Sequence, residues 1–72
     1  MSNWQANAYK EWLKQLQRNP ADLSIARRAA HSGLLAGKDS VQVKGDLTRA
    51  GVSAEDAKRI VDNQIKLHKF DA

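Results

Sequence analysis

Seventy-two residues with no cysteine and a formal charge of +4 describe one small domain without disulfides, thiolate metal sites or a cysteine nucleophile. At this length folding buries only about 60% of the surface that the unfolded chain exposes, so the domain is marginal unless something reinforces it. No apolar run approaches the roughly 20 residues of a membrane span, and the opening MSNWQANAYK lacks a signal-peptide core, which points to a soluble, cytoplasmic protein.

The first helix is expected over Asn3–Arg18. Ala8, Tyr9, Trp12, Leu13 and Leu16 share one face at helical spacing, while Lys10, Glu11, Lys14 and Arg18 share the other. Asn19-Pro20-Ala21-Asp22 then punctuates the chain. Asn19 suits a cap, Pro20 the first helical position, and Asp22 the first turn, where the helix dipole favours a carboxylate. A second helix is therefore expected over Pro20–Leu35. Its buried stripe is Leu23, Ala26, Ala29, Ala30, Gly33 and Leu34, small enough for a neighbouring helix to approach closely. Arg27, Arg28, His31 and Ser32 fall on its far side, and Gly37 is a natural stop.

In KDSVQVKGDLTRAG, SVQVK alternates like a short strand, but a lone strand has no partner in this chain. A third helix capped at Asp39 or Ser40 is the better reading, with Val43, Leu47 and Ala50 on one face. Gly45 weakens it by about 1 kcal/mol relative to alanine. The last helix is expected from Ser53 to near Lys69, with Ala57, Ile60, Val61, Gln64, Ile65 and His68 sharing a face. The fold class is thus all-α, a single small bundle over residues 1–72 with four helices, or three if Gly45 breaks the third.

Tyr9, Trp12, Leu13, Leu16, Leu23, Leu34, Leu47, Ile60, Val61 and Ile65 are the large core candidates, with Trp4 at the bundle rim and Phe70 as a further member. Ile25, Leu35, Val41, Val52 and Leu67 have no secure place on a stripe. They suit either core edges or a homodimer interface.

Residues 47–61, LTRAGVSAEDAKRIV, resemble the general helix-turn-helix pattern. Gly51 ends one helix, Val52 is the hydrophobic turn residue, Ser53 caps the next helix, and Ile60 takes a core position. Leu47 stands where that pattern usually has alanine, and Ala57 where it has Val or Ile. Corners of this type also occur in small interaction domains, including ubiquitin-associated-like three-helix folds. A DNA reader of this pattern would point the start of its second helix at the duplex. Here that start carries Glu55 and Asp56, whose charge opposes a polyanion. The stretch therefore reads first as a structural corner.

The charge is uneven. Residues 1–38 hold six basic and two acidic groups, while residues 39–72 hold six of each. Any anionic partner should thus meet the first half. Arg27, Arg28 and His31, with Lys38 near the helix end, form the candidate binding face, unless carboxylates such as Asp62 neutralise it. Trp4 is a candidate anchor for a partner, since tryptophan is enriched at binding hot spots.

Catalysis has little basis: no serine has a nearby His–acid arrangement, and Gly33 and Gly37 do not make a phosphate loop. His31 and His68 are too far apart in sequence for a local metal pair. The expectation is a non-enzymatic binding module or inhibitor without metal or cofactor, docking on a protein partner through helix faces. The alternative is a DNA- or RNA-binding protein that uses the basic second helix.

Overall fold

Helical spacing of apolar residues accounts for each helix, and local capping chemistry decides where each begins and ends. The computed structural model describes residues 4–68, the side chains of Gln5 and His68 excepted. It is an all-α, four-helix domain: α1 (Trp4–Arg18), α2 (Leu23–Leu35), α3 (Ser40–Arg49) and α4 (Ala54–His68). The expected start at Asn3, the expected end near Lys69, and Phe70 lie outside the described residues.

α2 is the central element. It packs against α1, α3 and α4, and α3 also packs on α4. Leu16, Val43, Leu47 and Val61 are fully buried at the centre, and Ala26, Ala29 and Ala30 line α2 where the other helices meet it. The small residues of α2 do what their size suggests. The Tyr9 ring of α1 lies directly on Gly33, where a Cβ would stand 2.7 Å from Tyr9 Cε1. Three packed neighbours also widen the buried arc of α2, so Ser32 is buried rather than outward-facing.

The start of α2 differs from expectation. Asn19–Asp22 forms a turn closed by the Asp22 N–H donating to the Asn19 carbonyl at 3.0 Å, with Pro20 in its second position. Proline is pre-set for that position of a β-turn as well as for a first helical turn, and here the turn wins. Asp22 is the N-cap, its carboxylate accepting from the Ser24 N–H at 3.0 Å. Asp39 caps α3 in the same way, accepting from the Val41 N–H. α3 forms despite Gly45 because Val43 and Leu47 bury its inner face.

Both α2 and α3 end in a Schellman motif. After α2, the Lys38 N–H donates to the Gly33 carbonyl and the Gly37 N–H to that of Leu34. After α3, the Val52 N–H donates to the Leu47 carbonyl and the Gly51 N–H to that of Thr48. Gly37 and Gly51 carry the required positive φ, +86° and +112°. Ser53 then caps α4, its Oγ accepting from the Asp56 N–H at 3.1 Å. The Asp56 carboxylate turns to Arg59 at 3.3 Å instead of completing a reciprocal capping box. The corner read at Gly51–Ser53 is therefore present, and Val52 is a core residue rather than a leftover.

One further apolar expectation is narrowed to the core edge and another changes. Ile25 packs against the core, and Trp4, 61% exposed, does not cover the rim. Trp4 is the first residue of α1, where the helix has not yet reached the stretch of α2 beneath Tyr9.

Candidate functional site

Residues at positions i, i+3, i+4 and i+7 share one helix face. Ser24, Arg27, Arg28 and His31 stand in that relation along α2, and together with Gln64 of α4 they line an open groove of about 360 Å³. Three of the candidate residues, Arg27, Arg28 and His31, are thus brought together. Lys38 is not: it follows Gly37 in the Schellman turn and lies outside the groove lining. Trp4 also lies outside it.

Arg27 is exposed, and neither it nor Arg28 has a carboxylate partner among the described residues. Arg28 is instead held over Trp12 of α1, its guanidinium carbon 5.5 Å from the ring centroid. A cation over an aromatic face is attracted by the ring quadrupole, which restrains the guanidinium without neutralising it. His31 is half-buried.

Most of the described acids that were candidates to quench these arginines are used elsewhere. Asp62 pairs with Lys44 at 3.5 Å, Asp46 with Arg49 at 3.2 Å, and Asp56 with Arg59 at 3.3 Å. Asp39 and Asp22 are helix caps, and Glu55 stays exposed in the first turn of α4. Asp46 has a second task, accepting a 2.7 Å hydrogen bond from the Tyr9 hydroxyl. Burial, that hydrogen bond and the Asp46 charge all raise the Tyr9 pKa well above the usual phenol value, and Arg49 offsets them in part. Tyr9 is therefore a neutral donor that ties α1 to α3, not an acid–base group.

Gln64 was visible only as a polar interruption of the apolar stripe Ala57–Ile60–Val61–Ile65. It is 7% exposed, and its Oε1 is buried without a hydrogen-bond partner among the described residues. A buried amide that the fold does not satisfy is costly, which makes its place in the groove wall notable. Ser24 and the Arg28–Trp12 contact also escaped the sequence reading, because each depends on which helix lies alongside.

A second hollow of about 400 Å³ lies where the Asn19–Asp22 turn meets the Gly51 corner, lined by residues that include Pro20, Leu23, Val52 and Asp56. Asp56 is its one charged lining residue and is already paired with Arg59. Among the described residues no group of three or more His, Asp or Glu side chains is placed to hold a metal ion, and no helix is long and apolar enough to cross a membrane. No family model matches the chain, and no curated protein or solved structure matches it.

Proposed function

We propose that this chain is a small non-enzymatic docking module whose basic α2 face takes an acidic segment of a partner protein. The observation that carries this reading is the separation of charge. Asp39, Asp46, Asp56 and Asp62 of the second half are engaged in a cap or an ion pair, while Arg27 and Arg28 line an open groove that has no carboxylate among the described residues. Electrostatic complementarity of this kind steers encounter and fixes register.

Exposed large hydrophobics supply the remainder of a docking surface. Trp4, Leu35, Val41 and Leu67 lie at the start of α1, the end of α2, the start of α3 and the end of α4. The opposite helix ends expose none among the described residues. The same apolar set is what a homodimer would use, so the mass in solution belongs with the binding test.

The test is affinity capture with wild type, the double variant Arg27→Glu/Arg28→Glu, and Trp4→Ala, followed by reconstitution with the purified captured protein. Reconstituted binding should be lost with the charge reversals and weakened by Trp4→Ala. A monomeric wild type that reconstitutes with no captured protein would end this reading.

Nucleic acid is the second reading, favoured by the same two arginines, which have no carboxylate partner among the described residues, in a chain that also has a helix-turn-helix-like corner. It is tested with random-sequence duplex DNA and single-stranded RNA at about 50 and 200 mM salt, where a multi-phosphate binder weakens steeply. Absence of binding at the lower salt removes it.

A further inference from the structure

The groove between α2 and α4 differs from an ordinary solvated basic face in one respect. Beside Arg27 and Arg28, neither of which has a carboxylate partner among the described residues, it has a nine-tenths buried amide in its wall, Gln64, whose Oε1 has no hydrogen-bond partner among the described residues. Gln64 lines the groove, and its amide NH2 is the end of that side chain that can donate to an anion. Ser24 contributes a hydroxyl, its backbone N–H being engaged by Asp22. The lining is thus rich in donor-bearing side chains, Arg27, Arg28, Gln64 and Ser24 beside the His31 imidazole, with no carboxylate among the described residues that line it.

Geometry sets what such a lining can hold. A carboxylate presents two oxygens in one plane and carries a single negative charge, which one bidentate guanidinium matches. A phosphate monoester presents three strong acceptor oxygens in a tetrahedral spread and carries close to two negative charges at neutral pH. Arg27 and Arg28 are adjacent in sequence and face the groove from one helix, and Gln64 faces it from the other. Arg28 is restrained beforehand by Trp12, so less side-chain freedom is lost when it binds.

We propose that the groove is a site for a phosphorylated side chain of a partner protein, with Arg27 and Arg28 as the charge-bearing donors and Gln64 as a buried third donor. This deepens the docking reading and rests on it: the acidic feature recognised is a phosphate monoester rather than a run of carboxylates.

The experiment is calorimetric titration of the full chain with three short, otherwise neutral peptides bearing phosphoserine, glutamate or serine at the centre. An oligonucleotide with a 5′-phosphate and its 5′-hydroxyl counterpart are titrated beside them. The phosphoserine peptide should bind at least about tenfold more tightly than the glutamate peptide, in keeping with its extra charge and acceptors. Arg27→Gln and Arg28→Gln should each weaken it by about tenfold, and Gln64→Leu by several-fold, as hydrogen bonds to a charged group are lost. Lys58→Gln, outside the groove, should leave it within about twofold, and circular dichroism checks that each variant keeps its helices.

Equal affinity for the phosphoserine and glutamate peptides, with both lost in Arg27→Gln, would overturn the phosphate site while leaving acidic docking in place. Binding of the 5′-phosphorylated oligonucleotide alone would overturn it in favour of nucleic acid. Phosphopeptide binding indifferent to Arg27, Arg28 and Gln64, or no binding of any probe, would overturn it as well, the last removing its support from the docking reading too.

Discussion

The corners at Gly37 and Gly51 are the same piece of backbone in two settings. Each ends a helix with a Schellman motif around a glycine of positive φ, and each is followed by a residue that caps the next helix. At Gly51 the surroundings close in: a Cβ there would stand 2.8 Å from Pro20 Cβ, and Val52 is buried directly after it. At Gly37 a Cβ would meet nothing within 4 Å, Lys38 follows, and Leu35 and Val41 on either side are exposed. The motif that resembles a functional signature is the one locked into the fold. The one that looked like a plain helix stop leaves side chains available to a partner. Local sequence thus defines a corner, and packing decides what the corner is for.

Substituting the two glycines should separate backbone conformation from packing. Gly37→Ala carries only the cost of a left-handed alanine, about 1–2 kcal/mol. Gly51→Ala adds to that cost the displacement of Pro20, and overpacking of this kind costs about 1–3 kcal/mol more. Urea denaturation of both variants should therefore place Gly51→Ala clearly below Gly37→Ala. Equal losses would mean that the Asn19–Asp22 turn yields freely and that the two corners are alike.

The Gly37 corner is not unsupported, for its lock lies one turn earlier. Tyr9 rests on Gly33, whose carbonyl accepts the closing hydrogen bond from Lys38, and the Tyr9 hydroxyl reaches Asp46 of α3. Tyr9→Phe keeps the ring and removes the hydrogen bond to a charged acceptor, an interaction worth about 1.5–3 kcal/mol. Arg49 still pairs with Asp46 in that variant, so the lower end of the range is expected. The pH dependence has a definite sign. With the folded pKa raised above its unfolded value near 10, the phenol's contribution is fully present below about pH 10 and is lost as pH rises further. Tyr9→Phe should flatten that part of the alkaline loss, and unchanged steepness would remove the neutral-donor assignment.

The caps provide a smaller test of the same pair. Asp39 and Ser53 each accept one orphan backbone N–H, from Val41 and Asp56 respectively. Asp39→Ala and Ser53→Ala should each cost about 1 kcal/mol by thermal or urea denaturation. Equal costs would place the difference between the corners in their packing, whereas a much larger loss for Ser53→Ala would make its cap part of the lock.

Most of the helices were legible because their determinants are local. Periodicity in α1 and α4, glycine stops at 37 and 51, and caps at Asp39 and Ser53 all lie within a few residues of the feature they produce. Pro20 misled because the proline ring suits two turn geometries equally, and only the Asn19–Asp22 hydrogen bond distinguishes them. Trp4 and Val52 misled in opposite directions, since apolar character does not say which end of a helix a neighbour covers. Within the candidate site, Arg27, Arg28 and His31 were readable as one face of one helix. Gln64, Trp12 as the platform of Arg28, and the diversion of Asp62 to Lys44 required knowing which helices touch.

Gly45 yields the smallest expected effect and the only gain. It sits inside α3, the helix that begins after one glycine corner and ends at the other. Unlike Gly37 and Gly51, it has no positive φ, and a Cβ there would meet only the mobile end of Arg49, at 3.5 Å. Nothing in its surroundings requires glycine, so the helix bears the entropic penalty without a packing return. Gly45→Ala should stabilise the domain by about 0.5–1 kcal/mol, which raises Tm by roughly 2–8 °C for a chain of this size. The gain arises in α3 itself and not at either corner, so it should add to the losses of Gly37→Ala and Gly51→Ala in double variants. Non-additivity with Gly51→Ala alone would show that the locked corner extends its constraint into α3, and that the open one does not.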